Sequence, residues 1–178
     1  MILLNSLLRR SWIGRGVPAG AKTAIIESVT GLLDAETSSL MLLDEETNEL
    51  TFEVATGEPG ESLREMRVPA DRGIAGWVMQ HGEPVIVGDV NADPRFYGQI
   101  DQSSGFRTRS MLAVPLTIRD RPIGVVEIIN KRGDGGFTAR DQELATAFAA
   151  QSAVAIDNAR LYRQLADAVV ESRLSYRL

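Results

Sequence analysis

Apolar residues recur along this chain with two periods, and the switches between them mark its elements. From Gly20 to Leu33, the positions Ala24, Ile25, Val29, Leu32 and Leu33 fall at helical spacing, which predicts an amphipathic helix. Ser38 to Asp44 is apolar and Leu50 to Thr56 alternates, with Glu45-Glu46-Thr47-Asn48 between them; this predicts a hairpin. Met66-Arg67-Val68-Pro69 predicts a short strand. Asp71-Arg72-Gly73 then opens a helix from about Ile74 to Gln80, His81-Gly82 ends it, and Pro84 to Val87 predicts another strand. Ser110 to Thr117 and Ile123 to Asn130 read as a second hairpin around Asp120-Arg121-Pro122, with the proline at a strand entrance where it removes no ladder bond. The last helix starts at Thr138 and runs from about residue 139 past 165. Its apolar face is read as Leu144, Phe148, Ser152, Ala155, Ala159 and Tyr162, with Leu161, Leu165 and Val169 extending the track. Two hairpins with helices on a shared face predict an α+β domain.

Between the hairpins, Gly88 to Arg109 shows no sustained period and is rich in Asn, Asp, Ser, Gly and Pro. Loops this long are commonly functional, and Phe96, Tyr97 and Phe106 can anchor it, so it reads as a lid with short helical turns. Composition narrows the chemistry. The 178 residues carry a net charge of −5 and no cysteine. The charge argues against a nucleic-acid binder, which needs a basic stripe. The missing thiols exclude disulfides, thiolate metal sites and thiol catalysis, and suit a cytoplasmic protein. No stretch approaches the roughly 18 apolar residues of a membrane span, so no membrane insertion is expected. At the N-terminus the arginines follow the apolar run instead of preceding it, against a signal peptide. His81 is the only histidine and reads as a surface cap, so no Ser/His/Asp set and no metal site can be built around it. Trp12 and Trp77 read as packing residues.

Two segments could bind a ligand or could be structural. Asn130-Lys131-Arg132-Gly133-Asp134-Gly135-Gly136-Phe137-Thr138-Ala139-Arg140-Asp141 joins an apolar strand to the last helix. Thr138 with Asp141 three residues later is nearly a capping box, Asp141 complements the helix dipole, and Lys131 can reach Asp141 across the turn. The other segment is Gly73-Ile74-Ala75-Gly76. At a helix start it exposes backbone N–H groups to an anion, although its glycines could equally serve only a tight turn.

These segments resemble a GAF domain, and within that superfamily its cyclic-nucleotide-binding branch, found as regulatory tandems in phosphodiesterases and in some bacterial adenylyl cyclases. The branch signature is Asn-Lys, a spacer, Phe, three residues, then Asp-Glu. Here it stands as Asn130-Lys131, Phe137 and Asp141, with Gln142 where the signature has Glu. Val68-Pro69-Ala70-Asp71-Arg72-Gly73-Ile74-Ala75-Gly76, Ser103-Ser104-Gly105-Phe106-Arg107-Thr108-Arg109 and Gly124-Val125-Val126-Glu127 also match, over roughly Thr23 to Leu165.

The resemblance implies a central antiparallel sheet of about six strands, with terminal helices on one face and a lid on the other. It divides the chain into an N-terminal extension (1–19), a sensor domain (20–165) and a C-terminal signalling-helix extension (166–178). It implies no covalent cofactor and a non-covalent cyclic nucleotide held by the backbone of Ile74 and Ala75, by Ser39, by Asp101, Ser104 and Thr108 of the lid, by Glu127, and by Thr56 on the second strand. Asn130, Lys131, Phe137 and Asp141 then form a clamp beside the pocket. Glu127 has an alternative reading as a solvent-facing residue at a sheet edge, and Asp101 and Ser103 as turn formers. Some members that select cGMP have an aromatic and an acid where this chain has Ala55 and Thr56, so the contacts favour cAMP. The expected partners are a cyclic nucleotide, a second copy through the terminal helices, and an effector domain. An alternative is a dimerisation or linker module with an empty pocket or a different small ligand. A catalytic role is not expected, because the site offers no base and nucleophile pair.

Overall fold

The computed structural model describes residues 19–57 and 63–175. Trp12, the expected N-terminal extension up to residue 18 and the last three residues of the C-terminal extension lie outside the described residues. Helix α1 (Ala19–Leu32) leads into β1 (Ala35–Asp44), β2 (Glu49–Ala55) and β3 (Arg67–Pro69). Helix α2 (Gly73–His81), β4 (Val85–Val87), a 3₁₀ turn (Val90–Ala92) and α3 (Gln99–Ser104) follow. Strands β5 (Met111–Ile118) and β6 (Arg121–Lys131) then precede the long α4 (Ala139–Ser175). The six strands form one sheet in the order β3-β2-β1-β6-β5-β4, antiparallel throughout. The expected α+β architecture is thus present, with both hairpins. The second hairpin turns at Arg119-Asp120, both with positive φ, as a two-residue type I′ connection requires. Pro122 is already in the strand.

Alternation in the central strands sorts the residues between two cores. Leu40, Leu42, Val126 and Ile128 point to the face covered by α1 and α4, whereas Met41, Val125, Met111 and Ala113 point to the face covered by α2 and the lid. A period of two puts neighbouring residues on opposite faces, so the in-line Glu127 between Val126 and Ile128 belongs to the lid face. Because β6 lies inside the sheet between β1 and β5, the sheet-edge reading of Glu127 fails.

The buried faces of both terminal helices match the apolar tracks read in the sequence only in part, at Val29 and Leu33 for the first helix and at Phe148 and Ser152 for the last. In α4 the sheet-facing stripe is Asp141, Ala145, Ala149, Ser152, Ala153 and Ile156, while Leu144, Leu161, Tyr162, Leu165 and Val169 are exposed. Three alanines four residues apart let the helix backbone approach β5 closely, so the smallest side chains rather than the largest form the contact. In α1 Ile26 and Val29 are buried and Leu32 is 65% exposed, while Leu33 just after the helix is buried. Lys22 is buried with them, its ammonium 2.8 Å from Glu53. The register of a helix against a sheet is set by fit as well as by total hydrophobicity.

Candidate functional site

A cavity lies between the lid face of the sheet, the start of α2 and the lid. It encloses about 690 Å³ outside protein atoms, counting the part open to solvent. Its floor follows from strand register. Across the sheet, Ala55 pairs with Ser39, Ser39 with Glu127, and Glu127 with Ala113. Three small side chains therefore share one transverse row with a single large one. Cross-strand Cβ atoms in such a row lie about 5 Å apart, so the row leaves open space above Glu127. Larger residues of the adjacent rows, Phe52 and Met41 on one side and Met111 and Ile129 on the other, wall it in.

Glu127 is buried, at 7% exposure. Among the described residues its hydrogen-bond partner is Ser39, whose Oγ is 3.5 Å from Oε2, the limit of a useful bond. Burial pushes its carboxyl up to about 7; the Ser39 hydroxyl opposes this and the nearby Asp101 charge adds to it. Asp101 lies on α3 over the cavity, and the Thr108 backbone N–H and hydroxyl each donate to one of its oxygens at 2.7 Å.

The opposite end of the cavity is the N-terminus of α2. The first intrahelical bond runs from the Gly76 N–H to the Arg72 carbonyl, at 2.9 Å, so the N–H groups of Gly73, Ile74 and Ala75 precede the helical ladder. Arg72 makes no side-chain cap bond to them and is, among the described residues, the one cationic residue lining the cavity. Both glycines here are required by geometry. Gly73 has φ of +73° and a Cβ on it would come 3.0 Å from Tyr97 Cβ of the lid, and a Cβ on Gly76 would come 2.6 Å from the Asp71 carbonyl carbon. The turn reading of the glycines therefore holds, and it is compatible with the anion reading, since Gly73, Ile74 and Ala75 line the cavity and their N–H groups precede the helical ladder.

Seven of the eight ligand-contact residues expected from sequence line the cavity: Ser39, Ile74, Ala75, Asp101, Ser104, Thr108 and Glu127. Thr56 does not. Its hydroxyl accepts the Ser38 N–H at 2.9 Å and lies 3.1 Å from the Thr37 hydroxyl, and the Thr37 hydroxyl also donates to its carbonyl. The end of β2 is thereby stitched to β1, with Thr56 in the stitch and Ala55 on the cavity side. Arg72, Thr37 and Tyr97 also line the cavity but were not read as ligand contacts from the sequence. Arg72 sits beside the glycine of the matched helix-opening segment, which was the available signal. Thr37 and Tyr97 needed the register and the path of the lid.

The lid is held at both ends. At its start, Asp89 caps the 3₁₀ turn by accepting the Asn91 N–H. Arg95 forks onto Asp93 through two bonds of 2.9 and 2.6 Å and lies 4.8 Å above the Trp77 ring. Trp77 in turn stacks on exposed His81, so His81 is a surface group at the end of α2. At the lid exit, fully buried Asn130 accepts from the N–H groups of Arg109 and Ser110 and donates to the Arg107 carbonyl and to Glu36. Its φ of 58° suits Asn better than most residues.

The next residue, Lys131, donates to the Leu33 carbonyl at the end of α1 and to Asp141 at 3.1 Å, and lies 6.0 Å from the centre of the Phe137 ring. Asp141 also accepts from the Thr138 N–H and hydroxyl, and the Thr138 hydroxyl accepts the Asp141 N–H, a closed capping box. Burial pushes the Asp141 carboxyl up, but the Thr138 N–H, the Lys131 ammonium and the Thr138 hydroxyl outweigh it, leaving the group below its ordinary value. Among the described residues no cluster of His, Asp or Glu could hold a metal ion, and no helix is long and apolar enough to cross a membrane.

Comparison with known proteins agrees with this architecture. A family model described as GAF domain matches residues 23–156. The chain is 33% identical over 156 residues to a probable 3′,5′-cyclic phosphodiesterase, pde-5, of Caenorhabditis elegans, covering 83% of this chain and 21% of that protein. It is 34% identical over 148 residues to the dual 3′,5′-cyclic-AMP and -GMP phosphodiesterase 11A of Takifugu rubripes, covering 78% of this chain and 16% of that protein. The chain thus spans about a fifth of the length of the curated relatives it matches. Among solved structures, the GAF domain of a phosphoenolpyruvate-protein phosphotransferase from Coxiella burnetii superimposes with a TM-score of 0.75 at 18% identity, over 82% of this chain and 86% of that one. A type II free methionine-R-sulfoxide reductase from Thermoplasma acidophilum does so with a TM-score of 0.66 at 15% identity, over 83% and 96%. At these identities the structures speak to fold alone.

Proposed function

This chain belongs to the GAF domain family, a family of regulatory sensor modules, and we propose that it is a non-catalytic, cytoplasmic module that binds a cyclic nucleotide, with cAMP favoured over cGMP. The observation that carries the reading is the cavity itself: it joins a helix N-terminus with free amides and Arg72 at one end to hydrogen-bonding groups on the sheet and lid at the other. A cyclic phosphodiester carries one negative charge and fits the amides of Ile74 and Ala75, where the helix dipole is positive. Ser39 and Glu127 then face the nucleoside from below, and Asp101, Ser104 and Thr108 from the lid. Both cAMP and cGMP are chemically compatible with this floor; Ala55 and Thr56, at the end of β2, put no acid at those two positions to take up guanine's donors, which favours adenine.

Ligand seated under the lid would favour one arrangement of it over others, since a ligand biases an equilibrium through its different affinities for the states. The connection outward runs through consecutive residues. Asn130 holds the lid exit and Lys131 holds the first turn of α4, so a shift of the lid would be felt at the start of the helix leading to an effector domain. A second copy would pack on the exposed apolar residues of α4, among them Leu161, Leu165 and Val169. That stripe also favours a second reading, a dimerisation or linker module with an empty pocket. Isothermal titration calorimetry with cAMP and cGMP separates the two. Binding of either nucleotide at micromolar concentration is expected, and neither heat nor a thermal shift at millimolar ligand would sink the first reading.

A further inference from the structure

We propose that Glu127 selects the base of the bound nucleotide by its own protonation state, taking adenine when protonated and guanine when ionised. The proposal rests on the cyclic-nucleotide reading and adds to it a residue that decides specificity and a reason for specificity to vary with pH. A carboxylic acid presents one O–H donor beside one acceptor, whereas a carboxylate presents two acceptors. The pairing edge of adenine offers an acceptor, N1, beside the amino donor. That of guanine offers two adjacent donors, N1–H and the 2-amino group. Each protonation state therefore makes a two-bond pair with one base and sets like groups against each other with the other base. Leaving buried polar groups unpaired in this way discriminates strongly.

The surroundings of Glu127 leave this edge free. From β1 it meets the Ser39 hydroxyl, at a distance too long to hold it firmly. From β5 its neighbour is Ala113, which carries no polar group. From α3 comes the like charge of Asp101, whose two oxygens are already taken by Thr108. From the lid side come Tyr97, Ser104 and Thr108, and from the start of α2 come the cation Arg72 and the amides that precede the helical ladder. The phosphate and the two carboxylates repel one another, so the phosphate goes to the α2 end and the base is left over Glu127. Burial in this apolar row brings the group's titration to about 7, so both forms are accessible near neutrality.

The test is calorimetric titration of cAMP and cGMP into the wild-type chain and Glu127→Gln at about pH 6 and about pH 8.5, a range in which neither base titrates. Glutamine keeps one donor beside one acceptor at every pH. The wild-type ratio of cAMP to cGMP affinity is expected to fall about tenfold or more across the range, with proton uptake on binding cAMP at the upper pH. The Glu127→Gln ratio should favour cAMP and stay constant. A pH-independent wild-type ratio, or a Glu127→Gln ratio that still moves with pH, would overturn the proposal while leaving nucleotide binding intact. Failure of both nucleotides to bind at either pH would overturn the binding reading and this proposal with it. Should the variant fail to fold, the wild-type proton count in buffers of different ionisation enthalpy decides: no uptake with cAMP at the upper pH overturns the proposal.

Discussion

Two buried carboxylates on this chain, Asp141 and Glu127, have nearly equal exposure, 8% and 7%, and opposite fates. Asp141 accepts from an ammonium, a backbone N–H and a hydroxyl, and these donors hold it ionised. Glu127 has one distant hydroxyl and a like charge nearby, and burial holds it near neutrality. Loss of water is common to both; the donors that replace the water differ. Where the fold supplies the donors, the carboxylate joins α4 to β6 and serves stability. Where the fold withholds them, the group has unused hydrogen-bonding capacity facing a cavity, as a ligand site requires.

The largest expected effect tests the clamp at its other end. Asn130→Ala removes four hydrogen bonds and leaves the Arg109 and Ser110 N–H groups without their acceptor, at a position with positive φ. A loss of about 4 kcal/mol is expected in denaturant unfolding. A loss below about 1 kcal/mol would show that the lid exit is not held there.

Glu127→Gln should do the reverse and stabilise. The folded-state value of Glu127, about 7, lies above the ordinary 4.5. Its contribution is therefore fully present below about pH 4.5 and is lost as the pH rises through about 7. The non-titrating variant should gain on the wild type across that window, reaching up to about 3 kcal/mol at alkaline pH, as read from unfolding midpoints at several pH values. No change in the gap between pH 5 and 8.5 would mean that Glu127 is not shifted.

Asp141→Ala should cost about 2 kcal/mol at neutral pH, since it leaves Lys131 half-paired and opens the helix cap. Because the Asp141 value is depressed, its contribution is present above the ordinary carboxylate range and lost as the pH falls through its folded value. The penalty of the variant should accordingly shrink on acidification. The smallest effect is expected for Ser39→Ala, within about 0.5 kcal/mol in stability because a contact of 3.5 Å is marginal. It should nonetheless move the Glu127 titration upward, measurable by carboxyl NMR, since the hydroxyl is the group that opposes the shift.

Much of this was legible in the sequence for local reasons. The capping box needs only Thr138 and Asp141 three residues apart, and the turn at Gly73 to Gly76 needs only its glycines. The reading failed where a choice depended on fit between elements. Thr56, read as a ligand contact, is taken up by Ser38 and Thr37 because β2 ends against β1 at that point. The face of α4 was read as Leu144, Phe148, Ser152, Ala155, Ala159 and Tyr162, of which Ser152 and Phe148 do face the core, yet the centre of the contact is Ala145, Ala149 and Ala153.

The sequence alone determined which segments would be strands and helices, that no thiol chemistry was possible, and that an acid stood inside an apolar strand. Each of these depends on residues near one another along the chain. The tertiary structure alone decided that β6 is an interior strand, that Ala55, Ser39 and Ala113 flank Glu127 in one row, and that Asn130 and Lys131 join the lid to α4. Those relations come from the register between strands, and a single-residue slip in register would turn every side chain of a strand to the opposite face.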